Sequence, residues 1–429
     1  MKFIHSARVA CLHLVALSCF GWITFANASE AETIEKLDEL VARGFLPHYQ
    51  LSTVDSDGVR SYRAKAYVDG LVDITEPQPE SLFAMLSLSK PFTNLLALKM
   101  VDSGRINLDD PIEMYLPELG TASEPGNGAP NSTTSNRKII VRDLLLHTAG
   151  FAQNTELMGL GTIAERYQKD QIFGLHCLNG QEQQSLEAII SKLAAVPLQN
   201  APGATFKYSI ATDVLAALLE TAAKQPFEKL ITEELFLPIG MNNTGFTVPQ
   251  DKHNNLLALY QPLVKTYPVP GDYQRYQPLS VFKQKSAKVG EQPGCISAGT
   301  GLVSSVKDMQ IFLQFLLNDM HLESGQQYLT NDLLQSFLSH QLSSHLGTSP
   351  LSRSLPKTKG DGLSYGLAIH LQDGGLLSEP DTYDYLYWSG FSGSGFWFNA
   401  DRTMGGIFVS QLFNSDQFLL PDIAENIRH

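Results

Sequence analysis

Strand-like and helix-like patterns are segregated along this chain, and that segregation narrows the folds open to it. Near the N-terminus, residues 31–44 carry apolar positions at Ile34, Leu37, Leu40 and Val41, a helical stripe with a glycine stop. Tyr49 to Val54, the turn Asp55-Ser56-Asp57-Gly58 and Val59 to Val68 then read as a β-hairpin. At the other end, Leu367-Ala368-Ile369-His370-Leu371, Gly395 to Asn399 and Gly405 to Gln411 alternate as strands, before a last helix over roughly 418–427. Between these ends, helical patterns run over Lys90 to Asp102, 141–147, 184–195, 211–223 and 226–236, and a turn and helix over Gly299 to Leu317. Gly120 to Asn136 is a surface loop by composition, and 247–295 is mostly irregular. One antiparallel sheet assembled from both termini and flanked by helices satisfies this order. The expected class is therefore α+β, with residues 29–110 and 290–429 forming a discontinuous sheet domain. Residues 111–289 form a mostly helical inserted domain.

The first residues read as a targeting segment. Lys2 and Arg8 give a positive start, Val9 to Phe25 is mostly apolar, and Ala26-Asn27-Ala28 is a small-x-small cleavage pattern. Residues 1–28 are thus expected to be a secretory signal peptide, and the protein to be exported, periplasmic or secreted. Its removal takes two positive charges and no negative ones, moving the formal charge from −13 to about −15. Such an acidic balance offers no electrostatic footprint for nucleic acid. No later window reaches membrane-span length, so no membrane span is expected in the mature chain. Cys11 and Cys19 leave with the signal. Cys177 and Cys295 remain, and spacing alone does not say whether they pair.

A serine nucleophile has several candidate homes. Gly362-Leu363-Ser364-Tyr365-Gly366 matches the G-x-S-x-G elbow formally, but polar residues precede it where a buried strand is required. Ser-x-x-Lys begins at Ser87, Ser135, Ser280, Ser304 and Ser354, so the bare pattern decides nothing. The chemistry asks for a serine at a helix N-terminus, where amide groups favour developing negative charge, with the lysine one turn on along the same face. Ser135 and Ser354 lie in polar loops, Ser280 among Gln and Lys, and Ser304 reads as the cap of the helix beginning near Val306. Only Ser87 is enclosed by apolar sequence, with Leu82 to Leu86 before it and Phe92 and Leu95 to Leu98 after. Pro91 is tolerated in a first helical turn and fixes the helix start. A plain capping serine is the competing reading.

In these segments the chain resembles the serine hydrolases related to class C β-lactamases, DD-peptidases and family VIII carboxylesterases. Phe83 to Thr93 (FAMLSLSKPFT), Gly104 to Pro117, Val141 to Phe151, Pro202 to Leu215 (PGATFKYSIATDVL), Leu237 to Phe246 and Ser297 to Met309 occur in the family's order. The resemblance implies that Ser87 is the acyl-accepting nucleophile, Lys90 its activator and Tyr208 the proton shuttle. A tyrosine beside a cationic lysine has its phenolate favoured, which agrees. The family's third motif falls on Trp388-Ser389-Gly390, with the amides of Ser87 and Phe391 as the implied oxyanion hole. No cofactor and no metal site are implied, and His147, Asp109 and Asp110 read as structural.

Two departures bear on substrate. Tyr-x-Asn is replaced by Tyr208-Ser209-Ile210, and the usual lysine of the third motif by Trp388. Substrate contact is expected at Trp388, Ser389, Gly390 and Ile210. An amide and a cation that would bind polar substrates are thereby lost, which points to a carboxylesterase acting on neutral apolar acyl esters. The expected partner is a small-molecule ester or amide. β-Lactamase or DD-peptidase activity, or a catalytically silent binding protein on the same fold, are the alternatives.

Overall fold

The computed structural model describes residues 30–68, 74–121, 137–154, 159–174, 177, 184–262, 276–278, 295–339, 341–342, 347–348, 364–365, 370–373, 383–413, 423 and 427. The expected signal segment 1–28, the Ser-x-x-Lys serines Ser135, Ser280 and Ser354, and the boundary at 290 lie outside the described residues. So do most of the Gly362–Gly366 elbow and all of the last helix except Ile423 and Ile427.

In chain order the main elements are α1 (Glu30–Ala42), β1 (His48–Asp55), β2 (Gly58–Ala66), β3 (Leu82–Ala84) and α2 (Lys90–Asp102). The helices α3 (Val141–Leu145), α4 (Thr162–Lys169), α5 (Leu186–Ala194), α6 (Ala211–Ala223) and α7 (Phe227–Ile231) follow. Then come β4 (Val303–Ser305), α8 (Val306–Leu317), α9 (Asn331–Leu338), β5 (Ser364–Tyr365), β6 (His370–Asp373), β7 (Tyr383–Gly390), β8 (Ser394–Asn399) and β9 (Met404–Val409). Seven of the strands form one antiparallel sheet in the order β2-β1-β9-β8-β7-β6-β5. The chain ends meet where Gln50 pairs with Val409. The α+β architecture and the sheet built from both termini are as the segregated patterns require.

Alternation along the strands sends side chains to two different cores. On one face Tyr49, Leu51, Trp397 and Phe408 pack with Leu37 and Val41 of α1. On the other, Val54, Phe396, Phe398, Ile407 and Val409 join α2 and α8, where Phe312 lies between Phe92 and Phe396 at ring separations of 4.4 and 5.6 Å. Among the described residues this second cluster is continuous with the helical segment, reaching Leu144, Ile189, Leu218 and Phe227. The inserted helices therefore share the sheet's core rather than building their own.

Two local expectations change. Leu82–Ala84 and Val303–Ser305 pair as a short antiparallel ribbon, too brief to announce itself by alternation. The cap of α8 is Ser305, whose hydroxyl accepts from the Asp308 amide at 3.1 Å, while the Ser304 hydroxyl instead meets Thr244 at 2.8 Å. Cys177 and Cys295, both buried, are joined by a disulfide across 118 residues of sequence. No helix among the described residues is long and apolar enough to cross a membrane.

Candidate active site

Ser87 lies in a 3₁₀ turn, Leu86–Ser89, that runs directly into α2 at Lys90. Strand β3 delivers the chain to this turn under close control. Gln411 brackets Ala84, accepting from its amide and donating to its carbonyl, each at 3.0 Å, and the Met85 amide donates to the Leu302 carbonyl at 3.0 Å. Leu86 is buried at φ +46°, a conformation that costs a non-glycine residue about 1–2 kcal/mol, so the turn is held by its surroundings rather than by local preference. Pro91 stands in the first turn of α2, where its missing N–H leaves no intrahelical bond unmade.

Because α2 is buried on nearly every side, the lysine goes in with it. Lys90 is 1% exposed, and its ammonium donates to the Gly299 carbonyl at 2.8 Å and to Ser87 Oγ at 3.3 Å. The Lys90 Nζ also lies 4.8 Å from the centroid of the Tyr208 ring. Tyr208 itself is half-buried just before α6, with the His147 ring against it at 4.7 Å and Trp388 at 6.3 Å. Among the described residues no hydrogen bond joins the Tyr208 hydroxyl to Ser87 or Lys90. The structure thus brings Ser87, Lys90 and Tyr208 together, the first and last accessible and the lysine enclosed. His147 sits beside Tyr208, its Nδ1 3.4 Å from Ser209 Oγ.

The end of β7 closes the other side. Gly390 abuts the Ser87 turn so closely that a methyl group there would sit 2.1 Å from the Met85 carbonyl oxygen. Ser389 and Phe391, on either side, are half-buried, and the Phe391 ring packs edge-on against Phe413 at 4.6 Å. Two of the expected substrate contacts, Trp388 and Ile210, are buried. Trp388 is only 2% exposed; it shares the inner face with Leu386, and its indole N–H donates to the Ser87 carbonyl at 2.7 Å. Ile210 is 1% exposed, packed into the core where α6 begins. Trp388 is bonded to the Ser87 turn and Ile210 fills the core, and both side chains are enclosed.

Sequence reasoning missed the groups behind Lys90. Asp213, in the first turn of α6 and 4% exposed, accepts from the Ser297 hydroxyl at 2.8 Å and the Gly299 amide at 3.0 Å. Burial pushes its carboxyl above the usual carboxylate range, against the attraction of Lys90 and these two hydrogen bonds. A lone carboxylate inside the apolar run Ala211 to Leu219 was the available signal. Among the described residues no group of three His, Cys, Asp or Glu could hold a metal ion.

The profile of the Beta-lactamase family matches residues 41–427. The chain belongs to the Beta-lactamase family. Its relatives in this family include esterase EstB of Burkholderia gladioli, 27% identical over 356 residues that cover 78% of this chain and 79% of EstB. A protein of Salmonella paratyphi A, provisionally named a D-alanyl-D-alanine carboxypeptidase, is 23% identical over 348 residues, 76% of this chain and 69% of that protein. Among solved structures, EstCE1, described as a hydrolase with promiscuous acyltransferase activity, superposes with a TM-score of 0.69 at 22% identity, over 92% of this chain and 98% of its own. The fold is the β-lactamase/transpeptidase-like one, in a family of hydrolases with esterase and peptidase members.

Proposed function

We propose that this Beta-lactamase family protein is a serine hydrolase working through a covalent acyl-enzyme, and specifically a carboxylesterase for neutral, apolar acyl esters. The observation that carries the reading is the Lys90 ammonium 3.3 Å from Ser87 Oγ at the start of a buried helix, with the Tyr208 ring alongside. Ser87 attacks the ester carbonyl, and its proton passes to Tyr208, whose ring lies 4.8 Å from the Lys90 Nζ. Tyr208 returns the proton to the departing alcohol and then activates the water that releases the acid. The Ser87 and Phe391 amides hold the oxyanion, a reading that the close approach of Gly390, the residue before Phe391, to the Ser87 turn supports. EstB is an esterase by name, which supports the choice of substrate class.

Ser87→Ala should abolish turnover of p-nitrophenyl acetate and butyrate, and unchanged hydrolysis by that variant would overturn the assignment. Nitrocefin turned over faster than these esters would move the substrate class to β-lactams. Folded protein whose Ser87 resists a fluorophosphonate would favour a silent binding protein. Residues 1–28 are read as an export signal, and the Cys177–Cys295 disulfide suits an oxidising compartment. Intact mass of the exported product should place its N-terminus at Ser29.

A further inference from the structure

A buried ammonium needs more than a hydroxyl and a carbonyl to offset its desolvation. Lys90 finds a counter-charge without touching it. Gly299 stands between the two groups, its carbonyl accepting from Lys90 Nζ at 2.8 Å and its amide donating to Asp213 Oδ1 at 3.0 Å. A methyl group on Gly299 would lie 2.8 Å from Asp213 Oδ2 and 3.2 Å from Lys90 Nζ, so both charges crowd one spot, within about 6 Å of each other. Ser297, donating to Asp213 and paired with Thr300 at 2.7 Å, ties the same loop to the carboxylate. Lys90 is the charged group facing Asp213 among the described residues, and Tyr208 lies beyond the lysine with His147 behind it.

We propose that Asp213 is a positioning residue of this site, which through the Ser297–Gly299 loop fixes Lys90 against Ser87. The assignment rests on the serine hydrolase reading given above. Asp213 touches neither Ser87 nor any group that bonds to substrate. It acts by anchoring the residue whose carbonyl grips Lys90 and by setting a carboxylate within about 6 Å of that lysine. Burial has raised the proton affinity of Asp213, so acid neutralises it sooner than an ordinary aspartate. Activity then falls on the acid side as the carboxylate takes its proton and the lysine loses its counter-charge.

The test is the pH profile of kcat and KM for p-nitrophenyl butyrate in the full chain, in wild type and Asp213→Asn. The variant keeps the shape and the acceptor oxygen but removes the charge. It should lose at least about tenfold in kcat, change KM less than about twofold, and lack the wild-type acid limb assigned to Asp213. A profile superimposable on that of wild type overturns the proposal. Should Asp213→Asn give no cooperative melt, Ser297→Ala decides. It removes one donor to the carboxylate and should move the acid limb up by about half a unit, and an unmoved limb overturns the proposal equally. Wild-type turnover that does not depend on Ser87 would instead defeat the hydrolase reading, a different outcome from active, Ser87-dependent enzyme indifferent to Asp213.

Discussion

A single methyl group tests how closely β7 presses on the Ser87 turn. On Gly390 it would lie 2.1 Å from the Met85 carbonyl oxygen and 3.0 Å from the Leu88 amide nitrogen. Both obstacles are backbone, so no rotamer change relieves them, and strand or turn must retreat by about 1 Å to restore ordinary contact. The retreat has a direct consequence for catalysis, because Trp388 on the same strand holds the Ser87 carbonyl at 2.7 Å and Phe391 is the next residue. Overpacking of this kind costs about 1–3 kcal/mol of stability. A displacement of about 1 Å at the reacting groups costs on the order of a hundredfold in rate. Gly390→Ala should therefore lower kcat/KM for p-nitrophenyl butyrate by about a hundredfold, chiefly in kcat, and slow fluorophosphonate labelling of Ser87 in parallel. Urea unfolding should report a loss of about 1–3 kcal/mol. A variant within threefold of wild type in turnover and labelling would show that the backbone yields without moving Ser87, and the argument that glycine is required there would fail.

Trp388→Phe keeps a ring in the inner core but leaves the Ser87 carbonyl without the indole N–H; stability should fall by about 1–3 kcal/mol together with kcat, and an unaltered urea midpoint would refute the role. Cys295→Ser opens a crosslink spanning 118 residues and should cost up to about 4–5 kcal/mol on the chain-entropy account, read as a lower melting temperature that dithiothreitol no longer shifts. A melting temperature equal to that of oxidised wild type would count against the bond. His48 is fully enclosed, both ring nitrogens lack a partner among the described residues, and burial holds its proton affinity down to about 3. The unfolded chain accepts that proton near pH 6.5 while the folded one does not, so stability is complete above this range and falls on acidification by up to about 1.4 kcal/mol per pH unit. His48→Leu should flatten the fall, and an unchanged slope of unfolding free energy between roughly pH 6 and 4 would refute the assignment.

What the sequence made legible was local. The hairpin at 48–66, α2 from Lys90 and α6 over 211–223 carry their own periodicity and stops, and the observed bounds lie within two or three residues of the expected ones. The choice of Ser87 among five Ser-x-x-Lys serines rested on enclosure by apolar residues, and a helix buried on nearly every side is what such a run produces. The side-chain roles of Trp388 and Ile210 were not legible. Which face of β7 points inward depends on pairing with β8, and whether the residue opening α6 meets solvent depends on helices distant in sequence. Nor was Gln411, which brackets Ala84 from 327 residues away, since nothing local marks a glutamine as a clamp. Strands of three residues, such as β3 and β4, exist only through their partner.

Buried charge is the long-range relation that sequence can nonetheless carry. A charged side chain deep in apolar surroundings requires an opposite charge, because leaving it unpaired costs more than most single interactions supply. Lys90 opens a helix whose side chains to Leu98 are otherwise apolar save Thr93 and Asn94, and Asp213 stands within Ala211 to Leu219, where the remaining side chains are apolar or Thr212. Each residue alone is an anomaly of patterning, and together they neutralise each other. Glu220, the next acid along α6, lies past the apolar run, and it instead accepts from the Phe227 amide at 2.8 Å near the surface. Enclosure of opposite charges in two separate apolar helices thus predicts that the helices meet at those residues. It also places the meeting point beside Ser87, whose hydroxyl lies 3.3 Å from the Lys90 ammonium.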